Sequence, residues 1–407
     1  MYYLWFFLPF MRTTYSGAYK YLFFSFFLIG ILLLVLENIN AYGLKIQTKR
    51  TIITPILIYM AFMMFCWLLD LHDARDHIRV SFTFWGTALV YYLMGVNPEV
   101  RRRFAKFLIV IAIFTTITSM VVLWDNPMAA RALANASQTK EALEEDYYFG
   151  RRNVSSIYLF QGIATLSPIF VGLIKKKHIF WGLLGLIISF AILLQASFLI
   201  ALFGMVLGVI LAFIQNEKRS IILSVVISVL ILVALFLPWS EILSSLAGAI
   251  NNDTISTRLN ELSQLLKFGN AIGNTKGRVD AYMHSISTLL QHPLGVGPYY
   301  FSQEAREYIG RHSQLLDDLA RYGVAALVFY CVFLKRYYVL IKEKWSRIGN
   351  GSIAVSITVV YATLLLLNLG FRSAEESVIM LFILPELPEI ILYSKDKKHK
   401  LRKNYVG

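Results

Sequence analysis

Charge is scarce in this sequence: Asp, Glu, Lys and Arg make up 16% of its 407 residues, while 57% are hydrophobic. A soluble domain carries about 25% charged residues, so the polar surface needed to face water all round is missing. Cysteine is nearly absent. Cys66 and Cys331 both fall inside apolar runs, which leaves neither a disulfide framework nor a metal-binding spacing. The motifs of soluble enzymes are missing too: there is no Walker-type phosphate loop, no GxSxG elbow, no CxxC pair, no HExxH and no Asp-x-Asp. The first ten residues lack the basic start and small-residue cleavage site of a signal peptide, so no cleavable leader is expected.

What is present is a series of long apolar runs. A hydrocarbon layer about 30 Å thick needs roughly 20 apolar residues per helical crossing. Such runs recur at approximately 20–36, 51–70, 79–96, 104–124, 154–174, 179–195, 197–215, 219–238, 318–335, 352–370 and 376–393. Lys and Arg number 39 against 25 Asp and Glu. In a soluble protein that surplus would suggest nucleic acid, but here its placement excludes such a partner. Basic clusters at Lys45, Lys49 and Arg50, at 101–103, at 175–177, at Lys218 and Arg219, and at 335–347 each separate one apolar run from the next. The tail carries another cluster from Lys395 to Lys403. That pattern marks cytoplasmic loops. It predicts an all-α polytopic membrane protein with about twelve transmembrane helices and both ends cytoplasmic, the stretch 1–10 being counted as a crossing.

On this topology the chain divides into an N-terminal bundle, 1–238, with an outer loop at 125–153; a large extracytoplasmic loop, 239–317; a C-terminal bundle of three crossings, 318–393; and a basic cytoplasmic tail, 394–407. Gln195, Ala196 and Ser197 mark a tight external hairpin between two crossings. Pro385 and Pro388 bracket Glu386, with Glu389 following, so the last crossing is expected to kink or end early there. Asp70, His72 and Asp73 have a spacing that suits a divalent ion but read better as a solvated helix end. The loop 239–317 is neither low-complexity nor short of apolar residues, and loops of that length are generally functional. Within it, Val279, Tyr282, Met283, Ile286 and Leu289 or Leu290 recur at helical spacing between Gly277 and Gln291, so a helix is predicted there with these as its apolar face. His292 and Pro293 stop it, and Gly295-Val296-Gly297-Pro298 makes a turn.

The order that carries chemistry is Arg278-Val279-Asp280, then His292-Pro293-Leu294-Gly295-Val296-Gly297, then His312-Ser313-Gln314-Leu315-Leu316 with Leu319 and Gly323. It resembles the bacterial O-antigen polymerase and O-antigen ligase superfamily. Members of that family carry an Arg opening a loop helix, an hPl-GvG turn, and HN-x-x-L-x-x-L-x-x-x-G leading into the next membrane helix. The chain departs from the pattern at Ser313, where the family has Asn. It departs again at Phe198, which follows Ser197 where the family often has a Ser-Arg pair; Arg151, Arg152, Arg258 and Arg372 are candidates to replace that Arg.

The resemblance implies a GT-C-like integral membrane glycosyltransferase of the bacterial inner membrane, acting outside the cytoplasm on glycan linked through diphosphate to undecaprenol. It implies chain-length regulator and flippase proteins as partners beside membrane lipid, and neither cofactor nor metal. Negative charge grows on the departing diphosphate, and preorganised cations stabilise it. Arg is suited to this because its planar fork meets phosphate oxygens bidentately. Arg278, Arg311 and Arg258 are the candidates for that role. The acceptor hydroxyl benefits from a general base, and a neutral imidazole is one at pH 7. His312 is the candidate base, with His284, His292 and Tyr299 as secondary or acceptor residues. Direct attack would invert the anomeric centre without a covalent intermediate. Polymerisation of repeat units is the leading expectation, transfer of finished glycan to lipid A core is the alternative, and a polysaccharide-precursor transporter or flippase is the rival of another class.

Overall fold

The computed structural model describes residues 18–42, 52–69, 74–126, 129–132, 148–155, 157–215, 239–250, 253–268, 273–298, 308–371 and 373–391, with 3, 4, 8, 11 and 144 singly. The expected crossing at 219–238, most of 1–10, most of the loop at 125–153, the acidic group at 70–73, Tyr299, Arg372 and the basic tail lie outside them.

Among the described residues every regular element is a helix. In chain order these are α1 (Ala18–Tyr42), α2 (Ile53–Leu68), α3 (Ala74–Leu93), α4 (Pro98–Asp125), α5 (Ile157–Ala164), α6 (Ser167–Lys175), α7 (Ile179–Gln195) and α8 (Leu199–Ile214). Three further helices, α9 (Trp239–Ala249), α10 (Asp253–Phe268) and α11 (Gly273–Gln291), lie in the predicted loop. The chain then continues through α12 (Gln314–Ser346), α13 (Ile353–Leu367) and α14 (Ala374–Val378), the last running on through a π turn at Ile379–Ile383. Among the described residues three stretches are long and apolar enough to cross a membrane, Pro98–Asp125, Ile157–Lys175 and Gln314–Ser346. Five more apolar helices are shorter.

The surface explains the shortage of charge. Along α12, Ala326, Tyr330, Phe333, Tyr337, Ile341 and Trp345 are buried at spacings of three and four residues. Val324, Leu327, Val328 and Val332 on the other side are exposed. α4 shows Val110, Ile113, Phe114, Ile117 and Val121 outward, and α1 shows Phe26, Ile29, Leu32 and Leu33. A monomer in water does not leave continuous apolar belts of this extent open; in lipid they face their solvent. Aromatic rings fill the centre, where Phe84 stacks on Phe371 at 3.8 Å and Tyr59 on Phe329 at 4.1 Å between centroids.

Basic clusters far apart in sequence meet at one end of this bundle. Glu386 receives Arg101 Nε at 2.9 Å and Lys344 Nζ at 3.2 Å, and Tyr91 donates to it at 3.0 Å. Glu389 takes Lys344 at 3.3 Å and Arg347 at 2.6 Å. Lys175 donates to the carbonyls of Ala212 and Gln215, and Lys176 to that of Ile348. The opposite end carries His77, Thr118, Asn153, Asp318 and Glu376, together with the helices of the long loop. Glu386 is therefore no helix terminus: it is 1% exposed within the last helix and neutralised by two cations. The helix persists past Pro385 because the π turn just before it accommodates the missing N–H and the ring's clash with the preceding turn.

Two other expectations are adjusted. The crossing at 154–174 is interrupted between Ala164 and Ser167, where Pro168 stands in the first turn of α6. α12 begins at Gln314, before the predicted 318, and is broken at Gly323 (φ 51°, ψ −130°). That break is filled by the turn at 293–297. Val296 and Gly297 donate to the carbonyls of Ala320 and Arg321 at 3.1 and 2.9 Å, and Val324 donates to that of Pro293 at 3.1 Å. Backbone meets backbone so closely that a Cβ on Gly323 would lie 2.0 Å from Pro293 O, and one on Gly295 (φ +87°) 2.2 Å from Arg321 O. The two glycines the sequence motif spaces apart are thus a single interlock. Gly295→Ala or Gly323→Ala forces apart hydrogen-bonded backbone at a left-handed position. Each is expected to cost about 1–3 kcal/mol, read as a lowered melting temperature of the detergent-purified protein; an unchanged melt would refute the interlock.

Candidate functional site

The loop helices are tied to each other and to the bundle. Ser263 of α10 donates to Ser240 O of α9 at 2.7 Å. α11 packs on α12, and its inward face differs from the predicted one. Ser285 and Thr288 are buried and Leu289 is packed against the core, while Met283 and Leu290 are 57% and 75% exposed. Polar Ser285 faces inward because its hydroxyl is fully engaged, donating to Asp317 at 2.8 Å and accepting from Gly310 N at 2.9 Å. Tyr282, one turn earlier, donates to Leu367 O at the end of α13 at 2.7 Å.

Arg278 follows at the next turn along the same face, at a spacing of four residues from Tyr282. Its guanidinium lies beside the Tyr282 phenol, and its Nη1 is buried with no hydrogen-bond partner among the described residues. Burial pushes the Tyr282 phenol up, opposed by the charge of Arg278. Arg258 of α10 arrives from the side, 3.6 Å from Glu261. Burial lowers its pKa, Glu261 opposes that, and the charge of Arg278 adds to the lowering. Among the described residues Glu261 is the carboxylate paired with Arg258.

The segment bearing Arg311 and His312 docks on α11 between these residues and the interlock. The Gly310 backbone packs against Ala281. Arg311 adopts a left-handed backbone (φ 65°), and His312 is exposed. Ser313 then caps α12, its hydroxyl accepting from Leu316 N at 3.0 Å. This accounts for the departure at that position, since Ser and Asn are equivalent N-caps. Among the sequence-chosen residues the structure places Arg278 and Arg258 on packed helices, α11 and α10, and seats Gly310, next to Arg311 and His312, against Ala281 of α11. His284 is exposed beside Ser285, off the inward face. His292, also exposed, stands at the far end of α11, about 20 Å along the axis from Arg278, with its ring edge-on to Tyr308. Arg151 and Arg152 are exposed, the latter over the Tyr148 ring at 4.4 Å.

A buried polar network beneath the site escaped the sequence reading. Asp318 accepts from Arg321 Nη1 at 3.0 Å, Tyr330 Oη at 2.7 Å and Gln314 Nε2 at 2.8 Å. His77 Nδ1 meets Tyr322 Oη at 2.5 Å, with Nε2 3.8 Å from Asp318. Gln314 N bonds Asn368 O at 3.0 Å, Asn368 reaches Gln161 at 2.9 Å, and Gln161 reaches Glu376 at 3.1 Å. The signal was available: Asp318 and Arg321, three residues apart, are ionisable side chains inside an apolar helix, and such residues face the protein interior. Among the described residues there is no cluster of three His, Cys, Asp or Glu able to hold a metal. Tyr282→Phe should leave the Leu367 carbonyl unpaired and cost about 1 kcal/mol, measured by thermal melting with helical content unchanged.

Residues 181–331 match a family model described as O-antigen ligase. The match runs from α7 through the loop helices to the middle of α12, and so contains the interlock, both candidate arginines and the His312 turn. No curated protein matches the chain. Over that segment, which is less than half of its length, the chain is similar to the O-antigen ligase family.

Proposed function

We propose that this protein is a glycosyltransferase that takes glycan from undecaprenyl diphosphate and passes it to a sugar hydroxyl, polymerising repeat units at the extracytoplasmic face. The observation that supports the reading best is a buried Arg278 nitrogen with no hydrogen-bond partner among the described residues, on a helix that packs against the one bearing Arg258. A buried guanidinium nitrogen without a partner among the described residues can take an anion, and a diphosphate suits the planar fork of Arg278, with Arg258 on the neighbouring helix as a second cation. Arg311, on the turn seated against α11, is the third cation of the set. His312 beside it serves as base, taking the acceptor proton as the oxygen attacks the anomeric carbon and the diphosphate departs. The diphosphate is itself a good leaving group, so the transfer is metal-independent.

The site lies at the end of the bundle away from the clusters of Arg101, Lys175 and Lys344, which the positive-inside rule assigns to the cytoplasm; this supports the outward orientation. The description of the matching family favours a second reading, in which finished glycan is ligated to lipid A core. Transport gains little from Glu386, because that carboxylate is consumed by Arg101 and Lys344.

Purified protein incubated with lipid-linked repeat unit is expected to give longer products on a gel, unaffected by a chelator. His312→Ala should slow the reaction by about 10²–10⁴-fold, and Arg278→Lys should fail to restore what Arg278→Ala loses. Full activity of both His312→Ala and Arg278→Ala, with loss on Glu386→Gln, would turn the assignment toward transport. Deletion of the gene separates the two enzymatic readings. A missing polymerase leaves surface lipid capped by a single repeat, whereas a missing ligase strands polymer on the carrier.

A further inference from the structure

Asp317 is buried at the start of α12, and its carboxylate is committed beyond its own helix. Oδ1 accepts from Ser285 Oγ at 2.8 Å and from Arg311 N at 3.2 Å, and Oδ2 accepts from Ser313 N at 3.3 Å. The Ser285 hydroxyl, while donating to Asp317, accepts from Gly310 N. The amides of residues 310, 311 and 313 are thereby all held by one serine on α11 and one aspartate on α12. Helix capping accounts for the bond from Ser313 N, but not for those that Ser285 and Asp317 accept from Gly310 N and Arg311 N. What the pair adds is control of the backbone on either side of His312. That backbone needs control. A non-glycine residue in the left-handed region costs on the order of 1 kcal/mol and persists only where its surroundings over-determine it, and Arg311 is such a residue.

We infer that Asp317 and Ser285 form a clasp that positions the Arg311–His312 turn against the helix bearing Arg278. Asp317 is a positioning residue, since it acts on the backbone that carries the reacting groups. The activity arm of its test rests on the glycosyltransferase reading; the structural arm does not.

The structural arm places spin labels at Lys276→Cys and His312→Cys in a Cys66→Ala/Cys331→Ala background and measures the distance between them. With the clasp intact the distribution is expected to be narrow. Ser285→Ala and Asp317→Ala should each broaden it, and the double variant should add little to either single one, because the two residues act as a unit. In the activity arm, with His312 in place, Asp317→Ala should lower kcat about 100-fold, as a misplacement of around 1 Å does. KM for the lipid-linked donor should stay within about threefold. Asp317→Asn, which keeps one acceptor oxygen, should recover about tenfold of the loss. Ser285→Ala serves where Asp317→Ala does not fold. A distance distribution left narrow by both substitutions, or a kcat unmoved by them, overturns the inference. A protein that shows the broadening but transfers no glycan even with the wild-type sequence leaves the clasp standing and removes the glycosyltransferase reading.

Discussion

A helix that stops making its own hydrogen bonds partway into a membrane bundle must find partners for the carbonyls it frees. In α12 the break at Gly323 leaves Ala320 and Arg321 in that position, and Val296 and Gly297 of the loop supply the donors. An unpaired backbone group in a low-dielectric setting costs several kcal/mol, so loop and helix are each incomplete without the other. The rest of the site follows from this junction. α11 ends at it, and so lies along α12 with Tyr282, Ser285 and Arg278 turned inward. The short helical segment before Gly323 carries Asp317, Asp318 and Arg321 into the space that α11 covers.

Below the junction the buried polar residues connect elements that the apolar core would hold only loosely. Asp318 gathers Arg321, Tyr330 and Gln314, and Gln314 passes the connection to the end of α13 and on to Glu376. Lipid offers no hydrophobic drive for helices to associate, which makes packing and interhelical hydrogen bonds the specific terms. The charged cluster around Glu386 does the same at the other end. Between the two lies an aromatic core through Phe84, Phe371, Phe333 and Tyr337 that needs neither.

Much of this was legible in the sequence, for identifiable reasons. Among the described residues the apolar runs lie on helices, because a backbone buried in hydrocarbon must pair its polar groups internally. The stop at His292-Pro293 and the glycine turn were readable from backbone chemistry alone. That Gly295 and Gly323 touch was not, since the motif gives order and not contact. The inward face of α11 was legible in part: Tyr282 and Leu289 face in as the spacing predicts, but hydroxyl-bearing Ser285 faces in and Met283 out, because periodicity counts apolar residues. His77 and Asp318 were passed over since neither belongs to a catalytic motif; their significance lies in being paired across α3 and α12. A disturbance of the helix near Pro385 was foreseeable, whereas its form, a π turn after which the helix runs on, depends on what surrounds it.

The junction at Gly323 also bears on where the chain could be cut and rejoined. A loop that merely sat above the bilayer would be a cassette, free to be swapped between relatives at the membrane surface. Here the seam runs inside a helix long and apolar enough to cross a membrane, so the unit that fits together is the loop with the part of α12 up to Val324. Recombinants joined at residue 313 would part the glycine turn from the cleft that receives it, while those joined beyond residue 324 would keep both halves of the fit in one parental piece.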